Sequence, residues 1–279
     1  DYEGSKLDLS YPDRDAAYVA TALFNTGRRL FNERVTAYAL TTKSVELADT
    51  LAISHFSPSK DSIEWAFKEV EKTAQPEDIV VVYFSGHGIS GEYDNEDIEF
   101  YYLTSAIESA DDVKRSRLRK NHTVSSAELT AWLNGIKAQK QALILDACSS
   151  GAAVDLMSEV RGKNLTVSQV RAYERMRNRA GLFLLSSSTA DKESFESSTF
   201  GNGLLTYALL SGMRGEGDVL DDEKYIDIVK LFTSVRDRVP VLAKSIREAQ
   251  TPTLKFPGAA SGVLIGQFGT DAEVPIGIA

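Results

Sequence analysis

The run Ile79-Val80-Val81-Val82-Tyr83-Phe84 constrains this chain more than any other stretch. It is continuously apolar, lies between a Gln75-Pro76-Glu77-Asp78 turn and the small residues of Ser85-Gly86-His87-Gly88, and reads as a strand covered on both faces by helices. A second buried strand, Ala142 to Leu145, stops just as abruptly in Asp146-Ala147-Cys148-Ser149-Ser150-Gly151. A histidine and the chain's only cysteine therefore follow the C-terminal ends of two buried strands. In open parallel α/β sheets that is where ligands and catalytic groups gather.

The remaining elements read as a frame for these two. Asp13 and Asp15 begin an amphipathic helix over Ala16, Val19, Ala20, Leu23 and Phe24, and Asn25-Thr26-Gly27 is its expected stop. Glu33 to Leu40 alternates around Val35, Ala37 and Ala39 as a strand does. Pro58-Ser59 starts a helix with Ile63, Ala66, Phe67 and Val70 on one face. Residues 89–99 read as an exposed acidic loop, Glu99 to Leu103 as a short strand, and Ser105 to His122 as a solvated charged loop. Ser125 or Ser126 caps a helix carrying Leu129, Trp132, Leu133 and Ile136.

Beyond the cysteine lies an Arg-rich insertion, residues 152–180, with a helix expected from Thr166 to Arg177. Leu182 to Leu185 is a buried strand, Gly203 to Met213 an apolar helix, Tyr225 to Val239 a last long helix, and Gly262 to Phe268 a closing strand. Helices alternating with strands predict a three-layer α/β/α fold with a mostly parallel central sheet of five or six strands. Residues 1–268 are expected to form one domain and 269–279 an irregular tail.

Composition narrows the function. A net charge of −9 argues against a nucleic-acid binder and favours basic ligands at long range. No apolar run is long enough for a membrane span. One cysteine leaves no disulfide framework, so a reducing, cytoplasmic location is expected. The start, Asp1-Tyr2-Glu3-Gly4, has no initiator methionine and reads as internal. Three histidines without helical His-x-x-x-His spacing do not suggest a zinc centre, and no metal or other cofactor is expected. Glu92, Asp94, Glu96 and Asp97 offer carboxylates to calcium but lack the EF-hand pattern and read as a solvated loop.

A thiol attacks a carbonyl as thiolate, and an imidazole is the usual partner that takes its proton. His87 and Cys148 are far apart in sequence, so only the fold can bring them together. Backbone N–H groups of Gly88 and Cys148 are candidate donors to a developing oxyanion. Taken singly, an inert buried thiol and a turn histidine are the blander readings; the pairing of context raises both. His55 and His122 lack such context and read as structural or surface residues.

At these residues the sequence resembles the caspase-like cysteine peptidases. Ser85-Gly86-His87-Gly88 is similar to their histidine motif, and Asp146 to Gly151 to their cysteine motif in its metacaspase form. The stretch Tyr11 to Ala17 and the segment Glu193-Ser194-Phe195-Glu196 before Gly201-Asn202-Gly203 extend the likeness. The resemblance implies a caspase-haemoglobinase fold, Cys148 as nucleophile and His87 as general acid/base. It also implies an S1 pocket containing Asp146, two positions before the nucleophile, with Asp15 and Glu193 beside it and Asp191 as a neighbouring candidate. An acidic pocket implies protein or peptide substrates with Arg, then Lys, at P1. The blander reading of Asp146 is a strand-end carboxylate satisfied by backbone N–H groups.

Two departures accompany the resemblance. Ser149 stands where the family usually has His or Arg, and the family's first strand is absent, so that strand is expected upstream or as a separate fragment. Arg161, Arg171 and Arg179 in the insertion are candidate processing sites, and an activating partner or attached regulatory domain is an expected regulator. Two alternatives stay open: a catalytically silent caspase-like interaction module, and an Asp- or Asn-specific peptidase of the same clan.

Overall fold

A computed structural model describes residues 2, 7–43, 57–94, 98–148, 150, 153, 181–189, 194–257 and 262–277. The chain opens with α1 (Pro12–Phe31), which has Pro at its first turn and Asp13 and Asp15 near its N-terminus. It runs through the expected stop at Asn25-Thr26-Gly27, because the Thr26 hydroxyl is satisfied inside the helix, donating to the Ala22 carbonyl at 2.7 Å. Asn32, in the left-handed region at φ 51°, ends it instead. Residues 34–39 form no ladder.

Next come α2 (Lys60–Thr73), capped by Ser59, and β1 (Ile79–Gly86). Then β2 (Gly88–Gly91) pairs antiparallel with β3 (Glu99–Leu103), which pairs with β4 (Thr123–Ser125). The segment 89–99, expected to be an exposed acidic loop, thus begins and ends in the arms of a hairpin, with Ile89 to Gly91 in β2 and Glu99 in β3. α3 (Ser116–His122) lies inside the segment expected to be a solvated loop. Its Arg119 is only 3% exposed. Arg119 donates to the Val113 carbonyl at 2.8 Å, pairs with Asp94, and stacks 4.8 Å from the Tyr93 ring centroid. That buried cation organises the turn.

α4 (Ser126–Gly135) follows a reciprocal cap between Ser125 and Glu128, and leads into β5 (Lys140–Ala147). Beyond it are β6 (Gly181–Ser186), the short pair β7 (Glu196–Ser197) and β8 (Asn202–Gly203), and α5 (Leu204–Met213). Tyr225 to Asp227 forms β9 rather than helix, since Asp227 caps the following helix by accepting from the Val229 and Lys230 N–H groups. α6 (Ile228–Ser245) then carries Pro240 inside it and runs past Val239. β10 (Thr253–Lys255) and β11 (Leu264–Gln267) complete the strands.

The central sheet has the order β1-β5-β6-β10, parallel except for β10. The expected closing strand, β11, pairs with β9 outside it. One apolar layer joins α1, α5 and α6 to one face; the other joins α2 and α4 to the opposite face. The expected three layers are therefore present. Residues 269–277, expected to be an irregular tail, hold a short 3-10 helix at Asp271–Glu273 and are docked: Val274 is fully buried and the Gly277 N–H donates to Asn202 at 2.7 Å. The expected helix of the insertion lies outside the described residues. Among the described residues no helix is long and apolar enough to cross a membrane.

Arg119→Ala is expected to lower stability by about 2 kcal/mol, because it empties a buried site and leaves the Val113 carbonyl without its donor. Lys114→Ala, which breaks an exposed pair with Asp111, should leave stability unchanged. Urea midpoints of the two variants make the measurement.

Candidate active site

The parallel ladder of β1 and β5 sets Ser85 opposite Asp146 and Gly86 opposite Ala147. His87 and Cys148 are the next residues of each strand, so they leave the sheet side by side. Gly88 is held against the cysteine loop: a Cβ there would stand 2.5 Å from the Cys148 carbonyl oxygen and 2.5 Å from Phe100. Only glycine permits that approach. The Leu103 N–H donates to the His87 carbonyl at 3.0 Å, which makes Gly88 and Tyr102 the alternate, non-hydrogen-bonded pair of the hairpin. The Gly88 N–H is therefore turned away from β3.

The amino-terminal segment fixes the imidazole. His87 Nε2 lies 2.8 Å from the Leu7 carbonyl, which can only accept, so the neutral ring carries its proton on Nε2 and presents Nδ1 as its basic nitrogen. The His87 backbone N–H donates to the Tyr2 hydroxyl at 2.9 Å, and the two rings pack at 5.3 Å. Burial lowers the His87 pKa, against the Leu7 bond and the charge of Glu196, which raise it. The Tyr2 phenol is pushed up to about 12, chiefly by burial, and stays neutral. On the other side, Cys148 Sγ accepts from the Ser194 N–H at 3.3 Å, a contact that favours a negative sulfur.

Behind this pair lies the acidic cluster. Asp15 on α1 and Asp146 on β5 are 1% and 6% exposed. Both converge on Gly203, where a Cβ would stand 2.8 Å from Asp146 Oδ2 and 3.2 Å from Asp15 Oδ2. Asp15 accepts from the Asn202 side chain at 2.6 Å and the Gly203 N–H at 3.0 Å. Asp146 accepts from the Thr206 hydroxyl at 2.7 Å and the Thr206 N–H at 3.3 Å. Since the Thr206 proton goes to Asp146, Tyr83 on β1 donates to Thr206 at 2.6 Å. The two carboxylates thus supply the N-terminal cap that Gly203 cannot give α5.

Burial is the main cause that raises both acids. It pushes Asp146 up to about 6, against the Thr206 bonds, and raises Asp15 with help from the neighbouring Asp146 charge. None of the groups acting most strongly on either carboxylate is a cation. Glu196 is the third acid here: its charge raises Asp15 and Asp146, while its oxygens accept from the Ser10 and Tyr11 N–H groups at 2.9 and 3.0 Å. Sequence reasoning named Glu193 for that place and quoted Glu196 only as part of the motif. The alternation of β7 could have found it, because its first residue faces α1. Glu193, Asp191, Arg161, Arg171, Arg179 and His55 lie outside the described residues. Among the described residues no group of three metal-ligating side chains comes together.

A family model for the caspase domain matches residues 1–259. The chain belongs to that family. Caspase-domain proteins of this class are cysteine peptidases, and the His87 and Cys148 loops lie within the matched span. No curated protein matches this caspase domain. Among solved structures it is similar to protein GSU0716 from Geobacter sulfurreducens, at 17% identity, with 76% of this chain and 79% of that chain covered and a TM-score of 0.46.

A buried acid whose folded-state pKa is raised favours the protonated form. Its contribution to stability is full below the ordinary carboxylate value and is lost as pH rises through about 6. Asp146→Asn should therefore stabilise the domain near pH 8, by up to about 3 kcal/mol, and by little near pH 4. Thermal unfolding at the two pH values reads the difference; a larger gain at low pH contradicts the assignment.

Proposed function

We propose that this caspase-domain protein is an endopeptidase that cleaves after Arg, and less readily after Lys, with Cys148 as nucleophile and His87 as acid/base. The observation that carries the specificity is the buried pair Asp15 and Asp146, the latter on the nucleophile strand, with Glu196 adjoining and no cation among the described groups that act most strongly on either acid. Buried carboxylates held by hydrogen bonds alone are still costly to ionise, and a guanidinium that pairs with them offsets that cost. The hydrogen bonds to α5 hold the carboxylates in place for that pairing.

In this reading His87 Nδ1 takes the Cys148 proton, and the sulfur attacks the scissile carbonyl carbon. The tetrahedral oxyanion is met by the Gly88 and Cys148 N–H groups. The imidazolium passes its proton to the leaving amine as the C–N bond breaks, giving a thioester and the first product. Water, deprotonated by His87, then adds to the thioester; its collapse returns the thiol and releases the new carboxylate. The Leu7 carbonyl keeps the second ring nitrogen engaged throughout.

Fluorogenic peptides with Arg, Lys, Asp or Asn at P1 test the reading. Arg is expected to be turned over fastest, and preference for Asp or Asn overturns the acidic-pocket argument. Cys148→Ala and His87→Ala should each abolish turnover; if an Arg-directed electrophile leaves Cys148 unmodified, the chain is a non-catalytic module. KM for Arg substrates should rise as pH falls through about 6, where Asp146 loses its charge. Regulation by cleavage at Arg161, Arg171 or Arg179 is part of the proposal: wild type should be cut there while Cys148→Ala stays intact.

A further inference from the structure

The span matched by the caspase-domain model ends at residue 259, yet the chain beyond it is built into the domain. β11 pairs with β9, and residues 271–277 are then fastened to α1, to the end of α5 and to β8. Arg29 of α1 pairs with Glu273, its Nε 2.9 Å from both carboxylate oxygens, and Asn25 donates to the Glu273 carbonyl at 3.3 Å. Arg214, just past α5, donates to the Val274 carbonyl at 2.7 Å and to the Asp271 carbonyl at 3.1 Å. Val274 and Ile276 pack into the apolar layer shared by α1, α5 and α6.

The end of this segment reaches the acidic cluster. Gly277 is buried, and a Cβ there would stand 2.4 Å from Asn202 Oδ1 and 2.5 Å from the Gly201 carbonyl oxygen. Its N–H donates to Asn202 Oδ1 at 2.7 Å, and Asn202 Nδ2 donates to Asp15 Oδ1 at 2.6 Å. Asn202 is fully buried between the two. A backbone N–H can only donate, so it faces the amide oxygen and leaves the amide NH2 facing Asp15. Turned over, the amide would set its oxygen against the carboxylate and its NH2 against the Gly277 N–H. Gly277 therefore selects the orientation in which Asn202 supports charge on Asp15.

That support is needed. Burial, Asp146 on β5 and Glu196 on β7 all oppose charge on Asp15, while the Asn202 amide and the Gly203 N–H favour it. Tyr83 on β1 faces the same cluster as a neutral phenol, and Arg14 on α1 is turned onto the Gly201 carbonyl.

We propose that residues 271–277 are a strap that positions the pocket for a basic side chain, with Gly277 orienting Asn202 and Asn202 holding Asp15. Both are positioning residues, acting on the pocket through Asp15. For its substrate the proposal rests on the Arg-directed peptidase reading; for its geometry it does not.

The test releases the strap with Gly277→Val, whose side chain has no room beside Asn202 and Gly201, and follows the Asp15 carboxyl carbon by NMR as pH is varied. The Asp15 midpoint is expected to move up by about one pH unit, the worth of one lost hydrogen bond to a charged group. Amide exchange of residues 271–277 should quicken at least about tenfold. Asn202→Leu, which removes the donor itself, should move the midpoint the same way. With Arg peptides, Gly277→Val is expected to raise KM about fivefold or more and to leave kcat within about twofold. A segment that serves stability alone would lower Tm and leave the Asp15 midpoint in place, which overturns the proposal. So does an unmoved KM where the wild type is active, and so does a strap that stays protected in Gly277→Val. If Gly277→Val does not fold, Gly277→Ala meets the same atoms and replaces it with the same readouts. If the wild type turns over no Arg peptide, the peptidase reading falls, and the Asp15 titration alone decides for or against the strap.

Discussion

The parallel ladder between β1 and β5 is the interaction on which the rest depends. Its register places Gly86 against Ala147, and this alone brings residues separated by a whole α/β excursion to the same level. A slip of one residue would turn the strand faces over and carry the histidine loop away from the cysteine loop. The register is held from both sides: Val82 and Phe84 sit in one apolar layer, Val81 and Tyr83 against the other. The chemistry at the strand ends is therefore a consequence of core packing further down.

The acidic cluster serves two masters. Asp15 and Asp146 satisfy the start of α5, which has no side-chain cap of its own. They also leave negative charge, or a retained proton, in a place from which water is largely excluded. The first role fixes their positions and the second makes them reactive towards a cation. Tyr83 and Thr206 link this cluster back to β1, so the histidine strand and the acids share one hydrogen-bond chain.

Much of this was legible in the sequence, for identifiable reasons. β1, β5 and β6 are short apolar runs cut off by small residues, and such strands are dictated locally. The conjunction of His87, Cys148 and Asp146 at strand ends could be read for the same reason. What could not be read depends on partners. Residues 34–39 have a strand's alternation but form no ladder among the described residues, because a strand needs a neighbour. Arg119 looked like one charge in a basic run; only the fold shows that Tyr93 and Asp94 bury it. Glu196 joins the acids because β7 turns it towards α1, a matter of local facing that the motif did not encode.

Tyr2 and residues 7–11 touch both halves of the site. Through Tyr2 and Leu7 they fix the imidazole, and through the Ser10 and Tyr11 N–H groups they hold Glu196. Orientation of the base and anchorage of the third acid are therefore gained or lost as a unit.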